Sequence, residues 1–356
     1  MWWILFSEMC RYAWTRNYPD FVHRTTERLM LNNLVYTKVF QALVAKYAPC
    51  EAAHTIPYPL EEVPVYDGLT ILEVIGAGMV AVVYAGTLQG EPVAIKVKRK
   101  NIAVKLAAGL NDVHRTLRLV AWLPGIRRFS LLDVFEEIRE MILVQIDFEQ
   151  EARNQERFRA MFKYNKRIVV PKLYPEWCTP DRLVMERLYG GPLEDCPDAA
   201  ALFSQVIVKC AVLDGFIHSD LHVGNVFFMK TGLGIIDFGL MLELAKEQQD
   251  TYITLSTFLT REAYDEAALY TLTTLFTDKP SLKYVEKISN IYRSAKLRNV
   301  LGVAELAEIS AVAYPCKMCP FFYKQVLYIG AADALLQKLS PNSLDLLLAN
   351  VAGLVD

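Results

Sequence analysis

Between Leu69 and Val97 the texture of the chain changes, and that change constrains the fold more than any other feature. Short β-rich runs, including Val74-Ile75, Val82-Val83-Tyr84 and Val93-Ala94-Ile95, are separated by Gly76-Ala77-Gly78 and by the turn Gln89-Gly90-Glu91. This pattern predicts three antiparallel strands. On either side the periodicity is helical. Leu31, Leu34, Val35, Val39, Ala42 and Leu43 recur near helical spacing before the β segment, and residues 101–163 resume it afterwards, with one long segment from Leu131 to Phe162. Pro49, Pro57, Pro59 and Pro64 punctuate a linker that reaches the turn signal Asp67-Gly68. Val169-Val170-Pro171 and Leu183-Val184-Met185 read as two more strands, and Gly190-Gly191-Pro192 breaks the chain again. Beyond it the pattern is helical, with a short β interruption at Val226–Phe228 and Gly234–Ile236. The expectation is an α+β chain in three parts: a helical extension and linker over 1–65, a β-rich lobe with inserted helices over 66–190, and an all-helical lobe over 191–356.

Composition excludes several classes. The chain has 356 residues, which suits one large domain or two ordinary ones. Its 38 basic and 40 acidic residues nearly cancel, whereas chains that bind a nucleic-acid backbone usually carry a basic excess. An apolar fraction of 53% is too high for a disordered chain. No stretch of 18 residues is uncharged in the way a membrane helix requires. Met1–Phe6 is apolar but lacks a basic n-region, and Glu8, Asp20 and Glu27 do not suit an acid-poor transit segment. Seven scattered cysteines, an odd number, suit reduced thiols. The expected location is therefore intracellular, cytoplasmic by default. Cys316 and Cys319 form a C-x-x-C with no second pair at zinc-finger spacing, so they read as ordinary thiols.

Chemistry concentrates in four places. Gly76-Ala77-Gly78 opens a G-x-G-x-x-A-x-V run that ends at Val83, on a strand–turn–strand. Glycines there let backbone amides approach phosphate oxygens. A dinucleotide-binding reading fails because a strand follows instead of a helix. Lys96 then stands inside the apolar strand Val93-Ala94-Ile95-Lys96, where an unpartnered ammonium would be costly. A lysine at this interval after a glycine loop suits one that pairs with nucleotide phosphates and a helix carboxylate, as in kinases. Glu151 is the candidate carboxylate. Third, His218-Ser219-Asp220-Leu221-His222-Val223-Gly224-Asn225 has the H-x-D-x-x-x-x-N spacing of a catalytic loop. Asp220 would orient the attacking nucleophile, and Asn225 would place an amide oxygen on a phosphate-bound metal. Fourth, Asp237-Phe238-Gly239 follows a short apolar strand, seventeen residues after Asp220. Asp237 would hold Mg²⁺, a hard cation that prefers oxygen ligands. Met185 and Glu186 fall where an inter-lobe hinge would meet adenine with main-chain groups. Gly76, Ala77, Gly78, Val83 and Ala94 complete the expected nucleotide pocket. His218 reads as structural, and His222 lacks companion ligands at useful spacing. Lys98-Arg99-Lys100 reads as a solvated strand end.

Gln145–Asn154 resembles the Q-x-D-x-x-x-E-A-x-N signature of the UbiB/ADCK atypical kinase-like family. Phe216–Asn225 is similar to its F-x-H-A-D-P-H-P-G-N signature, and Lys38-Val39-Phe40-Gln41 to its N-terminal K-x-G-Q motif. The resemblance implies a two-lobe, protein-kinase-like fold that binds ATP with Mg²⁺ or Mn²⁺. It also implies a role near ubiquinone or other prenyl-lipid metabolism, and an extra helix placing Lys38 and Gln41 over the nucleotide. Phe40 replaces the motif glycine, Gly76-Ala77-Gly78-Met79 replaces an alanine-rich loop, and Leu221 is closer to protein kinases. No A-P-E segment follows Asp237-Phe238-Gly239, and the chain is expected to enter helix at Leu240–Glu247.

Three readings follow. The first is an ATPase or a phosphotransferase acting on a small molecule or a lipid-linked acceptor. The second is a nucleotide-binding pseudokinase scaffold. The third is a protein serine/threonine kinase. Peripheral contact with a membrane or lipid is compatible with the first two. The sequence leaves the oligomeric state open.

Overall fold

The computed structural model describes residues 2–17, 63–120, 131–294 and 303–340, with isolated positions between 20 and 35 and between 342 and 350. The Lys38 and Gln41 expectation lies outside the described residues, as does most of the proline-rich linker.

Helix α1 spans Trp2–Thr15. The three strands expected from the β-rich segment are β1 (Leu69–Ala77), β2 (Ala81–Leu88) and β3 (Glu91–Lys98). Their order follows from their turns: Gln89 and Gly90 both take positive φ, 53° and 90°, the geometry of a two-residue hairpin. Strand β5 (Arg182–Glu186) pairs with β3, closing an antiparallel sheet of order β1-β2-β3-β5. Val93 and Ile95 are fully buried on one face of β3 with Val82, Tyr84 and Val184. Alternation along the strand therefore turns Ala94 and Lys96 to the other face.

The long helix expected from Leu131 to Phe162 is two helices. After α2 (Ile102–Val120), helix α3 runs over Leu131–Val144 and α4 over Phe148–Met161. Asp147 sits between α3 and α4 in extended geometry, and its carboxylate accepts from the Gln150 N–H. An aspartate N-cap satisfies an otherwise unpaired donor, and a helix starts there even within a helical pattern.

The expectation of an all-helical second half is also corrected. Strand β4 (Ile168–Val169) pairs in parallel with β8 (Gly232–Ile235), which pairs with β7 (Val226–Met229). Helix α5 covers Ala199–Val208 and winds on as a wider π turn to Asp214. Strands β6 (Phe216–His218) and β9 (Met241–Glu243) form a separate antiparallel pair. So the segment after Gly239 enters a strand first, and helix begins only at Lys246, with α6 (Lys246–Thr260). Of these, β4, β7 and β8 match the short strands expected at Val169-Val170-Pro171, Val226–Phe228 and Gly234–Ile236, whereas β6 and β9, three residues each, are too short for periodicity to register. Helices α7 (Tyr264–Thr274), α8 (Val285–Ser294), α9 (Val303–Ala313) and α10 (Pro320–Leu339) complete the described chain.

Helix α4 reaches two separate hydrophobic clusters. Phe148 joins the cluster containing Leu106, Phe135, Leu183 and Met185, while Phe158 joins the cluster of Phe203, Leu233, Ile235 and Phe238. A single amphipathic helix thus carries side chains into both. Among the described residues no helix is long and apolar enough to cross a membrane.

Candidate active site

Strand pairing brings the expected pocket residues into rows. Gly76 pairs with Val83, Val83 with Lys96, and Lys96 with Leu183; one step along, Ala85 pairs with Ala94 and Ala94 with Met185. Paired residues present side chains on the same face, so Val83, Ala94, Lys96 and Met185 share one surface of the sheet.

Lys96 is held by two carboxylates. Its Nζ donates to Glu151 Oε1 at 2.6 Å and to Asp237 Oδ1 at 2.8 Å. Glu151 comes from α4, whose first turn Asp147 has just capped, and its side chain is 1% exposed. Burial alone would discharge the ammonium, but Asp237 and Glu151 outweigh it and hold Lys96 above its ordinary pKa. Burial, helped by the neighbouring Asp237 charge, pushes Glu151 up to about 7 against the pull of Lys96. The partner that the buried lysine demanded is therefore present, together with a second one.

The Asp237-Phe238-Gly239 segment is fixed from several sides. Asp237 has φ 64°, in the left-handed region that aspartate tolerates better than most residues. Phe238 is fully buried, with its ring 5.1 Å from that of Phe158 and 5.2 Å from that of His218. The Phe238 carbonyl accepts from Asn154 Nδ2 at 3.0 Å. At Gly239 a Cβ would stand 3.3 Å from Glu151 Oε2 and 3.4 Å from Asp237 Oδ1, so a side chain there would crowd both carboxylates.

His218 is structural, as expected. It is completely buried; Nε2 donates to the Ile236 carbonyl at 3.0 Å, and Nδ1 accepts from the Asp220 N–H at 3.3 Å. Both contacts suit one neutral tautomer. Burial holds its pKa below the ordinary histidine value. Asn225 Nδ2 donates to the Asp220 carbonyl at 2.8 Å, which closes the loop and leaves Oδ1 as the amide's acceptor. His222 Nδ1 accepts from the Gly224 N–H. Among the described residues no three His, Cys, Asp or Glu side chains gather as a metal cluster.

Two expectations change. Arg99 is not at a solvated strand end: it is 5% exposed, and its Nε donates to the Gly78 carbonyl at 2.8 Å. Lys98 pairs with Asp181 at 3.1 Å. At the expected hinge, the Glu186 N–H donates to the Lys172 carbonyl at 2.8 Å, which removes it from the donors available to an adenine edge.

Sequence reasoning gave no role to three residues of α4, although Asn154 closes the Gln145–Asn154 signature. Asn154 and Phe158 lie three and seven residues after Glu151, on the same helical face, a spacing that would have found them. Arg157 Nη2 pairs with Glu243 of β9 at 3.0 Å, and its guanidinium lies 3.9 Å from the centre of the Phe216 ring. Helix α4 thus grips Lys96, the Asp-Phe-Gly segment and the strand beyond it.

The model of the ABC1 atypical kinase-like domain matches residues 72–270, more than half of the chain. An uncharacterized aarF domain-containing protein kinase, chloroplastic, of Arabidopsis thaliana is 31% identical over 210 residues, 54% of this chain and 38% of that protein. The probable protein kinase UbiB of Cronobacter sakazakii is 32% identical over 149 residues, 39% of this chain and 27% of that protein. The matched segment is thus well under half the length of these relatives. In a solved structure of the Rv3197–erythromycin complex from Mycobacterium tuberculosis, 77% of the chain overlays 72% of this one at 17% identity, with a TM-score of 0.44.

Proposed function

The chain belongs to the ABC1 atypical kinase-like family, the family of its UbiB and aarF domain-containing relatives, and from that premise we propose that it is an ATP-dependent ATPase or small-molecule phosphotransferase. The observation that carries this reading is Lys96 held at 2.6 Å by Glu151 and at 2.8 Å by Asp237. Lys96 would meet the α- and β-phosphates, with Glu151 fixing its direction. Gly76, Ala77 and Gly78 would cover the phosphates, and Val83, Ala94 and Met185 would line the adenine pocket. Asp220 would orient water or an acceptor hydroxyl. Catalysis of this kind is mostly positioning and charge neutralisation.

The donor set fits a hard divalent cation: Asp237 offers a carboxylate, and Asn225 offers an amide oxygen while its nitrogen is engaged elsewhere. Bound Mg²⁺ or Mn²⁺ would neutralise charge developing between the β- and γ-phosphates. Lys96 must release Asp237 for that carboxylate to turn to a metal, and the pair with Glu151 keeps the ammonium charged as it does so.

The acceptor proposed is a small molecule or lipid-linked group, with ubiquinone or prenyl-lipid metabolism as the setting that the UbiB relatives suggest. A division into lobes at about residue 190 and a cover over the nucleotide by Lys38 and Gln41 belong to the same proposal. The protein-kinase alternative is disfavoured by the short path from Gly239 through β9 to Lys246. The pseudokinase alternative draws support from the same Lys96–Asp237 contact, since it occupies a metal ligand. Nucleotide binding tests the proposal: ATP with Mg²⁺ should raise the melting temperature of the wild type and not that of Lys96→Met. Equal shifts for both proteins, or no shift for either, would contradict it.

A further inference from the structure

We propose that Arg99 is a positioning residue for the phosphate-covering loop. The inference rests on the nucleotide-binding reading above and adds the device that sets the loop's shape.

The loop's glycines do not set that shape. Neither Gly76 nor Gly78 has positive φ. A Cβ at Gly76 would meet Val83 Cβ at 3.6 Å, and one at Gly78 would meet only the Ala81 carbonyl, at 3.8 Å. Both are ordinary contacts, so some other group must hold the turn. Three hydrogen bonds do so. The Gly78 N–H donates to the Ala81 carbonyl at 2.9 Å, and the Arg99 N–H to the Val80 carbonyl at 2.9 Å. The Arg99 side chain contributes the third, from Nε to the Gly78 carbonyl at 2.8 Å. Two of the three come from one residue, placed directly after β3 and three positions beyond Lys96.

The side-chain bond decides the direction of a peptide group. In a planar trans peptide the C=O and the following N–H lie on opposite edges. With the Gly78 carbonyl pinned to a guanidinium, the Met79 N–H is directed the other way. Among the described residues no carbonyl or side chain accepts from that N–H. A flipped peptide would present a carbonyl where a phosphate-binding loop needs a donor. Arg99 suits the task because a guanidinium keeps its charge and its fixed fork when buried. At 5% exposure it cannot serve as a solvated surface charge.

The test uses the full chain with Mg²⁺ and measures dissociation constants for ATP and for adenosine, which has no phosphates. Losing a charged hydrogen bond that orients the loop should raise the ATP constant of Arg99→Met about tenfold. Its adenosine constant should match the wild type. Arg99→Gln, which keeps one donor, should fall between. Unchanged ATP binding in both variants would overturn the inference, and so would equal losses for ATP and adenosine, which mark a merely structural residue. If Arg99→Met does not fold, the ATP-to-adenosine ratio of Arg99→Gln decides, and a ratio equal to the wild type overturns the inference. A wild type that binds neither ligand would instead overturn the nucleotide-binding reading itself.

Discussion

Asn154 Nδ2 donates to the backbone carbonyl of Phe238 at 3.0 Å, across 84 residues of sequence. The bond joins the helix that supplies Glu151 to the segment that supplies Asp237. Its other side is also tied, since Gln150 Nε2 donates to Asn154 Oδ1 at 2.8 Å. Asn154→Leu would leave a buried carbonyl unpaired, a loss of about 1–3 kcal/mol. Urea unfolding should show that loss, and Asn154→Asp, which aims an acceptor at the carbonyl, should be worse than Asn154→Leu. Variants as stable as the wild type would remove the tie from this account.

The Lys96–Glu151 pair is coupled in a second way that can be measured. Removing one partner of a buried ion pair typically costs about 3–5 kcal/mol. Asp237 remains for Lys96, so Glu151→Gln should lie near the lower end, about 3 kcal/mol. The double variant Lys96→Met/Glu151→Gln should lose clearly less than the two single losses combined. Strict additivity in a double-mutant cycle would mean that the 2.6 Å contact carries no coupling.

Stability should depend on pH through His218. Its folded-state pKa lies below the ordinary value of 6.5. The unfolded chain therefore binds the proton first as the pH falls, so the stabilisation is present above pH 6.5 and lost below it, through the folded pKa. Denaturant midpoints should fall between pH 7.5 and pH 5.5. In His218→Phe this part of the slope should vanish, from a lower starting stability. An unchanged slope in the variant would assign the effect to other groups.

Glycines in the β-sheet should divide by what surrounds them. Gly76→Ala and Gly78→Ala should unfold within about 1 kcal/mol of the wild type, as substitutions away from strained sites do. Gly86→Ala should not, because its Cβ would stand 2.3 Å from the Thr70 carbonyl oxygen and 2.6 Å from Ile95 Cδ1. Melting temperatures of the three variants check the contrast. A large loss at Gly78 would mean that the loop depends on glycine after all.

The parts of this molecule legible in the sequence were those with strong local signals. The three strands of 69–97 carry β-rich runs and a Gln-Gly turn, and the lysine inside an apolar strand announced a buried partner. The Asp220–Asn225 and Asp237–Gly239 motifs were visible because their spacing is chemical. What escaped depends on distant groups. Strands β6 and β9 are too short for periodicity to register and form by pairing with each other. The break at Asp147 hid in a continuous helical pattern because one N-cap outweighs several favourable propensities. Arg99 looked like a surface charge because the carbonyl it binds lies twenty-one residues earlier, in a loop whose path no local rule predicts.

The central claim is that Asp237 holds a metal for ATP turnover, and the fate of the labelled γ-phosphate of ATP tests it most directly. The assay uses Mg²⁺, with and without anionic liposomes, on the wild type and on Asp237→Asn. The account predicts label released as free phosphate, or moved to a small or lipid-linked acceptor, by the wild type, and none by a folded Asp237→Asn. Full activity in Asp237→Asn, or label carried only to protein substrates, would contradict it.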